Sequence, residues 1–460
     1  MALIKNKIFW LIIILAALIT ASLSLTNEGS WYPLIFLIFI LLFLIFLSRP
    51  ELGIYLIALL FPYNDWLFIY YEYNIPYVDL IALLLFIAWL ARVIYLYLEK
   101  REKLSLKNFP LLGLMLVFII ASFLSLLNIE GQWLLMGIKY IFRPIIFFYL
   151  MFVILPFNII DNYKKLDNTF KIICFTGMIL AFIGIVSLII PPFENINRAM
   201  PISIFGIWPL GSNQNALAEI FVVTIPLALI LFWKEKDIFM KAVYLICVLL
   251  MAGVNMLTLS RAGWIAFAME LLLLVILKYR HEVKKFFTNS LSYIIGLLLV
   301  PVIYLMYQLF ASGIVSASDS NRLKLIDIAL TLFSSHPFLG NGAGTFTLIL
   351  GQIRWYLIEY GGVLDAHSYL FKTLAETGVV GTLSFIALLA YVCYIIFRGY
   401  IKAKDSQASL VILGCFLAVI GAFIFQFFGT SYYLAKMWLP VGLALASLQI
   451  FNLYKVKLFT

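Results

Sequence analysis

The sequence predicts an all-α polytopic integral membrane protein, with about 12–14 membrane-spanning helices and one large external loop that contains short amphipathic helices. Three observations predict this fold class: 65% of the 460 residues are hydrophobic, only 12% are charged, and the mean hydropathy is +1.08. A soluble domain is about half apolar and about a quarter charged. No polar stretch is long enough to build a soluble domain of ordinary size, so most of the chain is expected inside a membrane.

Apolar runs of about 20 residues, the length that crosses a bilayer as a helix, follow one another along the chain. Lys5 and Lys7 precede the first run as in a signal peptide, but no small-residue cleavage site follows, so a first membrane helix is expected. Pro62, Asn64 and Asp65 interrupt the third run, which predicts a short or re-entrant segment there. The runs lie at residues 8–25, 31–47, 52–70, 77–97, 111–127, 135–155, 169–190, 213–232, 239–257, 262–279, 289–310, 372–397, 408–428 and 436–454.

The positive charges predict how these helices are oriented, because lysine and arginine concentrate in cytoplasmic loops. With both termini in the cytoplasm, most of the 32 lysines and arginines fall on the inner side of the cytoplasmic membrane. The net charge of +10 is therefore a topology signal, and a nucleic-acid partner is not expected. The positively charged residues that remain on the outer side are Lys139, Arg143, Arg198, Arg261, Arg322, Lys324, Arg354, Lys372 and Lys436. The positive-inside rule does not explain them, which makes them candidates for function.

The connection at residues 311–371 is predicted to be one large loop on the outer side. Loops longer than about 12–15 residues usually carry function or structure of their own. Two helices are predicted within this loop, and both are amphipathic and expected to lie at the membrane surface. The predicted elements are a cap at 318–321, a helix at 322–333, a helix stop at 336–337, a glycine-rich turn at 340–344 and a second helix at 345–360.

Four of the outward charges are singled out by their positions. Arg261 is expected at the outer ends of two spans and Arg322 at the start of the first loop helix, and the forked guanidinium group suits phosphates. Lys139 and Arg143 are four residues apart, so they share one face of the sixth span. A charge at membrane depth faces a cavity or a partner unless it reaches the headgroups by snorkelling, and both readings stay open here.

Histidine and amide side chains supply the remaining candidates. A neutral imidazole at His367 can accept a proton near pH 7, whereas His336 reads as part of a helix stop and His281 lies in a cytoplasmic cluster of charges. Asn213 and Asn215 precede the eighth span, where they either cap the helix or bind sugar hydroxyls. The three histidines lie on different segments, and the chain has no HExxH, DxD or Walker pattern, so neither a catalytic metal nor ATP is expected.

Several short motifs follow one another in the second half of the chain. They are residues 260–264 (SRAGW), Arg322, 336–344 (HPFLGNGAG), 366–370 (AHSYL) and 374–381 (LAETGVVG). In their order, spacing and side of the membrane, over about residues 205–385, they resemble the O-antigen ligase and polymerase superfamily of membrane glycosyltransferases. The resemblance implies a GT-C-like helical fold with an outward cavity beside the external loop. It also implies that Arg261, Arg322 and His367 are the catalytic residues.

The same resemblance implies a reaction. A glycan would pass from an undecaprenyl-pyrophosphate carrier to an acceptor hydroxyl on the outer face of the membrane, with inversion at the sugar and without a metal or cofactor. The expected partners are this donor, a lipid or glycan acceptor, and membrane lipids. The residues expected to bind the pyrophosphate or another part of the substrate are Lys139, Arg143, Arg354, Asn213, Asn215 and Glu376.

Alternatives to a ligase stay open. Ligases of the superfamily often have asparagine after the histidine, where this chain has Ser368, so a polymerase that joins lipid-linked repeat units is the first alternative. A lipid-glycan flippase or transporter is a second, because Glu270 lies within a predicted span. A non-catalytic export partner is a third. The expected organisation is N-terminal helices at 1–204, a ligase-related core at 205–397 that includes the loop at 311–371, and C-terminal helices at 398–460.

Overall fold

The fold is a bundle of apolar helices. The computed structural model describes residues 32–70, 73–100, 109–189, 198–204, 206–279 and 313–454. Within these residues seven helices are long and apolar enough to cross a membrane, and the only paired strands are two short ones. The predicted all-α polytopic membrane class is therefore confirmed. The spans predicted at 8–25 and 289–310 lie outside the described residues.

The first part of the bundle contains a helix that is too short to cross a membrane. Helix α2 (Pro50–Leu60) has 11 residues, a length of about 16 Å, and cannot cross a hydrocarbon core of about 30 Å. An antiparallel hairpin follows it, so the run at 52–70 holds only a short helix, as the interruption of this run predicts. Pro62 and the polar side chains of Asn64 and Asp65 explain why the helix stops. The elements here are α1 (Tyr32–Ser48), α2 (Pro50–Leu60), β1 (Leu67–Tyr70), β2 (Tyr73–Pro76), α3 (Tyr77–Lys100) and α4 (Leu112–Ser125).

The next span is a widened helix. Pro144 lies within it and has no N–H to donate, and the turns around this proline are π-helical. Together the pieces form one apolar segment, Gly131–Ile159, that is long enough to cross a membrane. The pieces are a single 3₁₀ turn at Gly131–Trp133, α5 (Leu134–Tyr140), the π-helical stretches Ile141–Phe147 and Tyr149–Ile154, and α6 (Leu155–Ile159), while a 3₁₀ turn at Leu126–Asn128 ends α4.

Two helices form the centre of the bundle, α8 (Gln214–Lys234) and α15 (Ser406–Gln426). About 78% of the apolar stretch of each of these two helices is buried in the protein. For α9 (Ile238–Leu257) the buried share is 33%, so most of its surface does not contact protein. Helix α8 packs against α7, α9, α10 and α15, so its apolar residues face protein on all sides. The elements are α7 (Tyr163–Ile189), α8 (Gln214–Lys234), α9 (Ile238–Leu257), α10 (Arg261–Leu277), α14 (Tyr369–Lys402), α15 (Ser406–Gln426), a 3₁₀ turn at Ser431–Tyr433 and α16 (Ala435–Ile450).

The large loop has three helices, α11 (Gly313–Ser335), α12 (Phe346–Leu350) and α13 (Arg354–Tyr360). The first ends just before His336 and Pro337, as the sequence predicts. It starts well before residue 322, so the cap predicted at 318–321 is wrong and Arg322 lies within the helix. The single second helix predicted at 345–360 is also wrong, because a turn at Gly351 divides it into α12 and α13.

Candidate active site

A break in helix α14 organises the site. Gly378 has φ +62° and ψ −165°, values that no helical residue adopts. The break leaves the carbonyls of Ala375 and Glu376 and the N–H groups of Val379 and Val380 in need of new partners. The loop after α11 supplies them through four backbone bonds. These are Asn341 N to Ala375 O at 3.0 Å, Gly342 N to Glu376 O at 2.9 Å, Val379 N to Pro337 O at 2.9 Å and Val380 N to Phe338 O at 3.2 Å.

Two glycines allow this exchange of backbone bonds. Both Gly340 and Gly378 have a positive φ, which favours glycine. A Cβ at Gly340 would lie 2.4 Å from the carbonyl of Glu376, and a Cβ at Gly378 would lie 2.4 Å from the carbonyl oxygen of Phe338. The glycine-rich turn and the LAETG motif are therefore two halves of one backbone joint.

Replacing Gly378 with alanine is expected to destabilise this joint. A left-handed residue with a side chain costs about 1–2 kcal/mol, and overpacking adds about 1–3 kcal/mol. We expect a lower thermal midpoint for the purified protein in detergent. Gly362→Ala is the matched control, because a Cβ there meets nothing within 4 Å. Equal midpoints for the two variants would contradict this account of the joint.

Side chains reinforce the same joint. The buried carboxyl of Glu376 accepts a bond from Phe346 N at 3.2 Å. The amide of Asn341 donates to Leu332 O at 2.7 Å and to Ala375 O at 2.9 Å. The ring of His336 lies 3.0 Å from Asn341 Oδ1, in agreement with a structural role for this histidine. Glu376 thus contacts backbone, and its predicted contact with substrate stays a prediction.

His367 lies directly before α14, half-buried, with φ +51°. Burial lowers the pKa of His367, the positive charge of Arg322 lowers it further, and Asp365 raises it. Arg322 is half-buried on α11. Leu325, three residues after Arg322, and Ala366, next to His367, belong to one buried apolar cluster, so the loop helix brings the two predicted residues into the same region.

Arg261 begins helix α10 at the same end of the bundle. Ser260 caps the helix by accepting a bond from Gly263 N at 3.3 Å, and the Ser260 hydroxyl donates to Asn215 Oδ1 at 2.7 Å. Asn213 caps α8 by accepting from the backbone N–H of Asn215 at 2.9 Å. These contacts favour capping over sugar binding for the two asparagines. A cation at a helix N-terminus opposes the helix dipole, so Arg261 is better suited to an anion that both would attract.

The outer end of α15 connects the two motifs. Ala262, next to Arg261, packs with Phe425 and Phe428. The ring of Phe427 lies 5.0 Å from that of Tyr369, two residues after His367. Arg261 and His367 therefore flank the end of one helix.

The opposite end of the bundle carries the predicted cytoplasmic residues. Tyr163, Lys234, Lys236 and Asp405 line a common cavity there. Helix α8 joins the two ends and has 21 residues, or about 31 Å. The candidate site and the lysine-rich end are thus separated by about one bilayer thickness.

Three other predicted binding residues lie on other elements of the described part of the chain. Arg143 bonds to Asp79 Oδ2 at 3.2 Å, an ion pair between the widened helix and α3. Lys139 is exposed near the end of α5. Arg354 begins α13 and is exposed, and it makes no hydrogen bond or ion pair with the described residues. Substrate contacts by these three residues stay predictions.

A buried network of charged and polar side chains, which no sequence motif indicates, lies beside the site. The carboxylate of Glu219 on α8 accepts from Lys436 Nζ at 3.3 Å and from Gln426 Nε2 at 2.8 Å, and it also bonds to the Ser431 hydroxyl. Lys436 is among the outward charges, and Glu219 lies one helical turn after Asn215. That spacing is the signal that could have placed Glu219 near the outer end.

Part of this chain matches the model of a known protein family. No curated protein was found to match this chain. Residues 246–386 match the model of a protein family described as O-antigen ligase. The matched segment contains Arg261, Arg322, His367 and the glycine joint, and it does not reach Lys139.

Proposed function

We propose, because residues 246–386 belong to the O-antigen ligase and polymerase superfamily, that this multi-pass membrane protein transfers a glycan from an undecaprenyl-pyrophosphate carrier to an acceptor hydroxyl. The observation that carries the proposal is that α11, which contains Arg322, packs against α14, whose first residues directly follow His367. A cation suited to phosphate and a histidine suited to proton transfer thus come from separate elements to one end of the bundle.

The leaving group is expected to need positive charge and no acid. When the bond between the anomeric carbon and the phosphate oxygen breaks, the electron pair stays on the lipid pyrophosphate. Arg322 and Arg261 would stabilise that charge through forked hydrogen bonds. Preorganised donors of this kind are worth about 3–4 kcal/mol each in the transition state.

His367 would act as the general base. The acceptor oxygen attacks the anomeric carbon from the face opposite the pyrophosphate, which inverts the configuration, and its proton passes to the imidazole. Burial and the Arg322 charge lower the pKa of His367, so the ring is neutral and able to accept this proton at neutral pH. Base catalysis of this kind supplies about 10²–10⁴-fold in rate.

Donor binding would strengthen the base. Arg322 lowers the pKa of His367 because a second positive charge nearby is unfavourable. A bound pyrophosphate would neutralise Arg322 and remove that effect. His367 would then hold a proton more firmly in the complex than in the free protein, which links base strength to the presence of donor.

The membrane supplies the remaining parts of the proposal. The site lies at the end of the bundle that the charge pattern predicts to face outward, in a cytoplasmic membrane with both termini inside. The apolar helix surfaces beside it would hold the polyprenyl chain among membrane lipids. We expect transfer to need neither a metal nor a cofactor, so it should proceed in EDTA.

The experiment is a reconstituted transfer reaction. The purified protein is mixed in EDTA with an undecaprenyl-pyrophosphate-linked glycan and with candidate acceptors of lipid or glycan type. The product is then sized, and its anomeric configuration is determined. One glycan added per acceptor, with inversion, supports the ligase. A ladder of repeat units on the lipid carrier would instead identify a polymerase, and no product with any acceptor would contradict transfer.

A lipid-glycan flippase is the rival that Glu270 suggests. This carboxyl group is buried in α10, neither of its oxygens has a hydrogen-bond partner among the described residues, and Gly421 on α15 leaves the room that it occupies. We expect Glu270 to act in helix packing, because its carboxyl group fills the space that glycine leaves at position 421.

Glu270→Gln is therefore expected to keep at least about half of the transfer activity, because glutamine preserves the shape of a neutral carboxyl group. Glu270→Lys serves as the disruptive control, since it brings a charge into the same space. Transfer by the glutamine variant is compared with that of the wild type in the reaction above. Loss of function in Glu270→Gln, together with loss of lipid-glycan movement across liposomes, would favour a proton-coupled flippase.

A further inference from the structure

Lys372 is buried, which is unusual for a lysine side chain. It lies in the first turn of α14, and its side chain is only 4% exposed. A buried ammonium group is unfavourable unless it is paired. Its Nζ lies 2.8 Å from Asp365 Oδ2 and 5.6 Å from the ring centre of Tyr140. The Tyr140 hydroxyl in turn lies 2.7 Å from that of Tyr432. Lys372 is thus held by an ion pair and by an aromatic face.

Asp365 uses its two oxygens for two different parts of the chain. While Oδ2 binds Lys372, Oδ1 accepts from the backbone N–H of Ala366 at 2.9 Å. The backbone N–H of Lys372 donates to Ser368 O at 3.1 Å. The residues on both sides of His367 are therefore tied to the first turn of α14.

The backbone at His367 needs such ties. Its φ of +51° is in the left-handed region, which is unfavourable for a residue with a side chain and persists only where the surroundings impose it. Among the residues that the structure describes, none hydrogen-bonds the imidazole. The direction of the ring is thus set by the backbone turn from which it projects.

We propose that Lys372 and Asp365 are positioning residues, and that their ion pair fixes the left-handed turn that aims His367 toward Arg322. The effect on transfer rests on the proposed function. The effect on the histidine itself does not, because it follows from the contacts of the loop alone.

The pair also sets the charge around the imidazole. The charged groups that act on His367 are Arg322 from α11 and Asp365 from its own loop, and Lys372 on α14 reaches it through Asp365. Asp365→Asn removes the negative charge that raises the pKa of His367, so that pKa should fall. Lys372→Met leaves the charge of Asp365 uncompensated, so the pKa of His367 should rise. A merely structural role would not predict opposite shifts.

The test follows the titration of one histidine by NMR. A full-length His281→Gln, His336→Gln background leaves His367 as the only histidine, and its ring is labelled with ¹³C. Expected are a lower pKa in Asp365→Asn, a higher pKa in Lys372→Met, and a wild-type value in Lys372→Arg, which keeps the ion pair. Unchanged values, or shifts in one direction for both variants, would overturn the proposal. Thermal midpoints identify any variant that fails to fold. In that case the direction of the pKa shift in the other variant is compared with Lys372→Arg, which keeps the ion pair.

Transfer assays on the same variants separate this inference from the proposed function. At fixed pH, Asp365→Asn and Lys372→Met should each lose more than about 10-fold in turnover, because a misplaced base loses proximity, while Lys372→Arg keeps most of it. Opposite pKa shifts in a protein that transfers no glycan, even as wild type, would uphold the positioning pair and refute the transferase. Full turnover in Lys372→Met would refute the positioning role while leaving the transferase intact.

Discussion

His367→Ala is expected to reduce glycan transfer by about 10²–10⁴-fold, the range that a general base supplies. The acceptor hydroxyl would then lack the imidazole that takes its proton during attack. The measurement is the rate of glycan transfer at saturating donor and acceptor. Added imidazole should restore part of the rate, because the cavity left by the ring can admit a small base.

His336→Gln is the matched control for that loss. His336 contacts Asn341 Oδ1 in the loop joint, and glutamine keeps a polar group able to reach the same amide. This variant should stay within about threefold of the wild type, as expected for a surface position. Comparable losses in both variants would show that the loop, rather than the base, was disturbed.

Arg322→Gln is expected to reduce turnover by about 10²–10³-fold, since it removes a preorganised donor to the leaving pyrophosphate. Arg322→Lys should restore little of it, because a single ammonium group cannot offer the forked pair of N–H groups. Arg322 lowers the pKa of His367, so in Arg322→Gln the pKa of the histidine should rise. The acid limb of the pH profile of kcat/KM for the donor, which reports pKa values of the free enzyme, should then move to higher pH.

The matched control lies at the other end of the bundle. Arg398 is exposed on α14, and its guanidinium lies 3.4 Å from the Tyr394 hydroxyl. Arg398→Gln removes the same charge from the molecule at a distance from His367, and it should leave turnover and the acid limb unchanged. A large loss in Arg398→Gln, or none in Arg322→Gln, would contradict a local role for Arg322.

Hydropathy predicts most of the fold because each span must satisfy its own backbone within the bilayer. It does not reveal the hairpin after α2, because strands and helices of similar composition cannot be told apart by hydropathy. It also places the start of α11 too late. Residues 318–321 have the composition of a cap, but the helix runs through them from Gly313. Local cap preference is weak enough for tertiary context to override it.

The site is only partly readable from the sequence. The motif order indicates Arg261, Arg322 and His367, and α11, which contains Arg322, packs against α14, which begins just after the histidine. The partners that hold this arrangement are distant in sequence, such as Glu376 and the backbone of Phe346, which are 30 residues apart. The polar residues Asn213 and Asn215 can cap a helix or bind a sugar, and only the observed contacts to Ser260 and to backbone distinguish these uses.

Lys372 illustrates the same limit. In the sequence it is one outward charge among several, at the predicted start of a span. Its burial against Asp365 and Tyr140 depends on how α14 and the widened helix pack. A residue that acts through another residue leaves no motif of its own.

The most direct test of the central claim, that Arg322 and His367 serve one transfer reaction, is the release of undecaprenyl pyrophosphate by the purified protein with and without acceptor. We predict that release requires acceptor, persists in EDTA, and falls to a similar low level in Arg322→Gln, in His367→Ala and in the double variant, because residues that act as a unit are not additive. Release that is independent of acceptor, or that survives in both single variants, would contradict the claim.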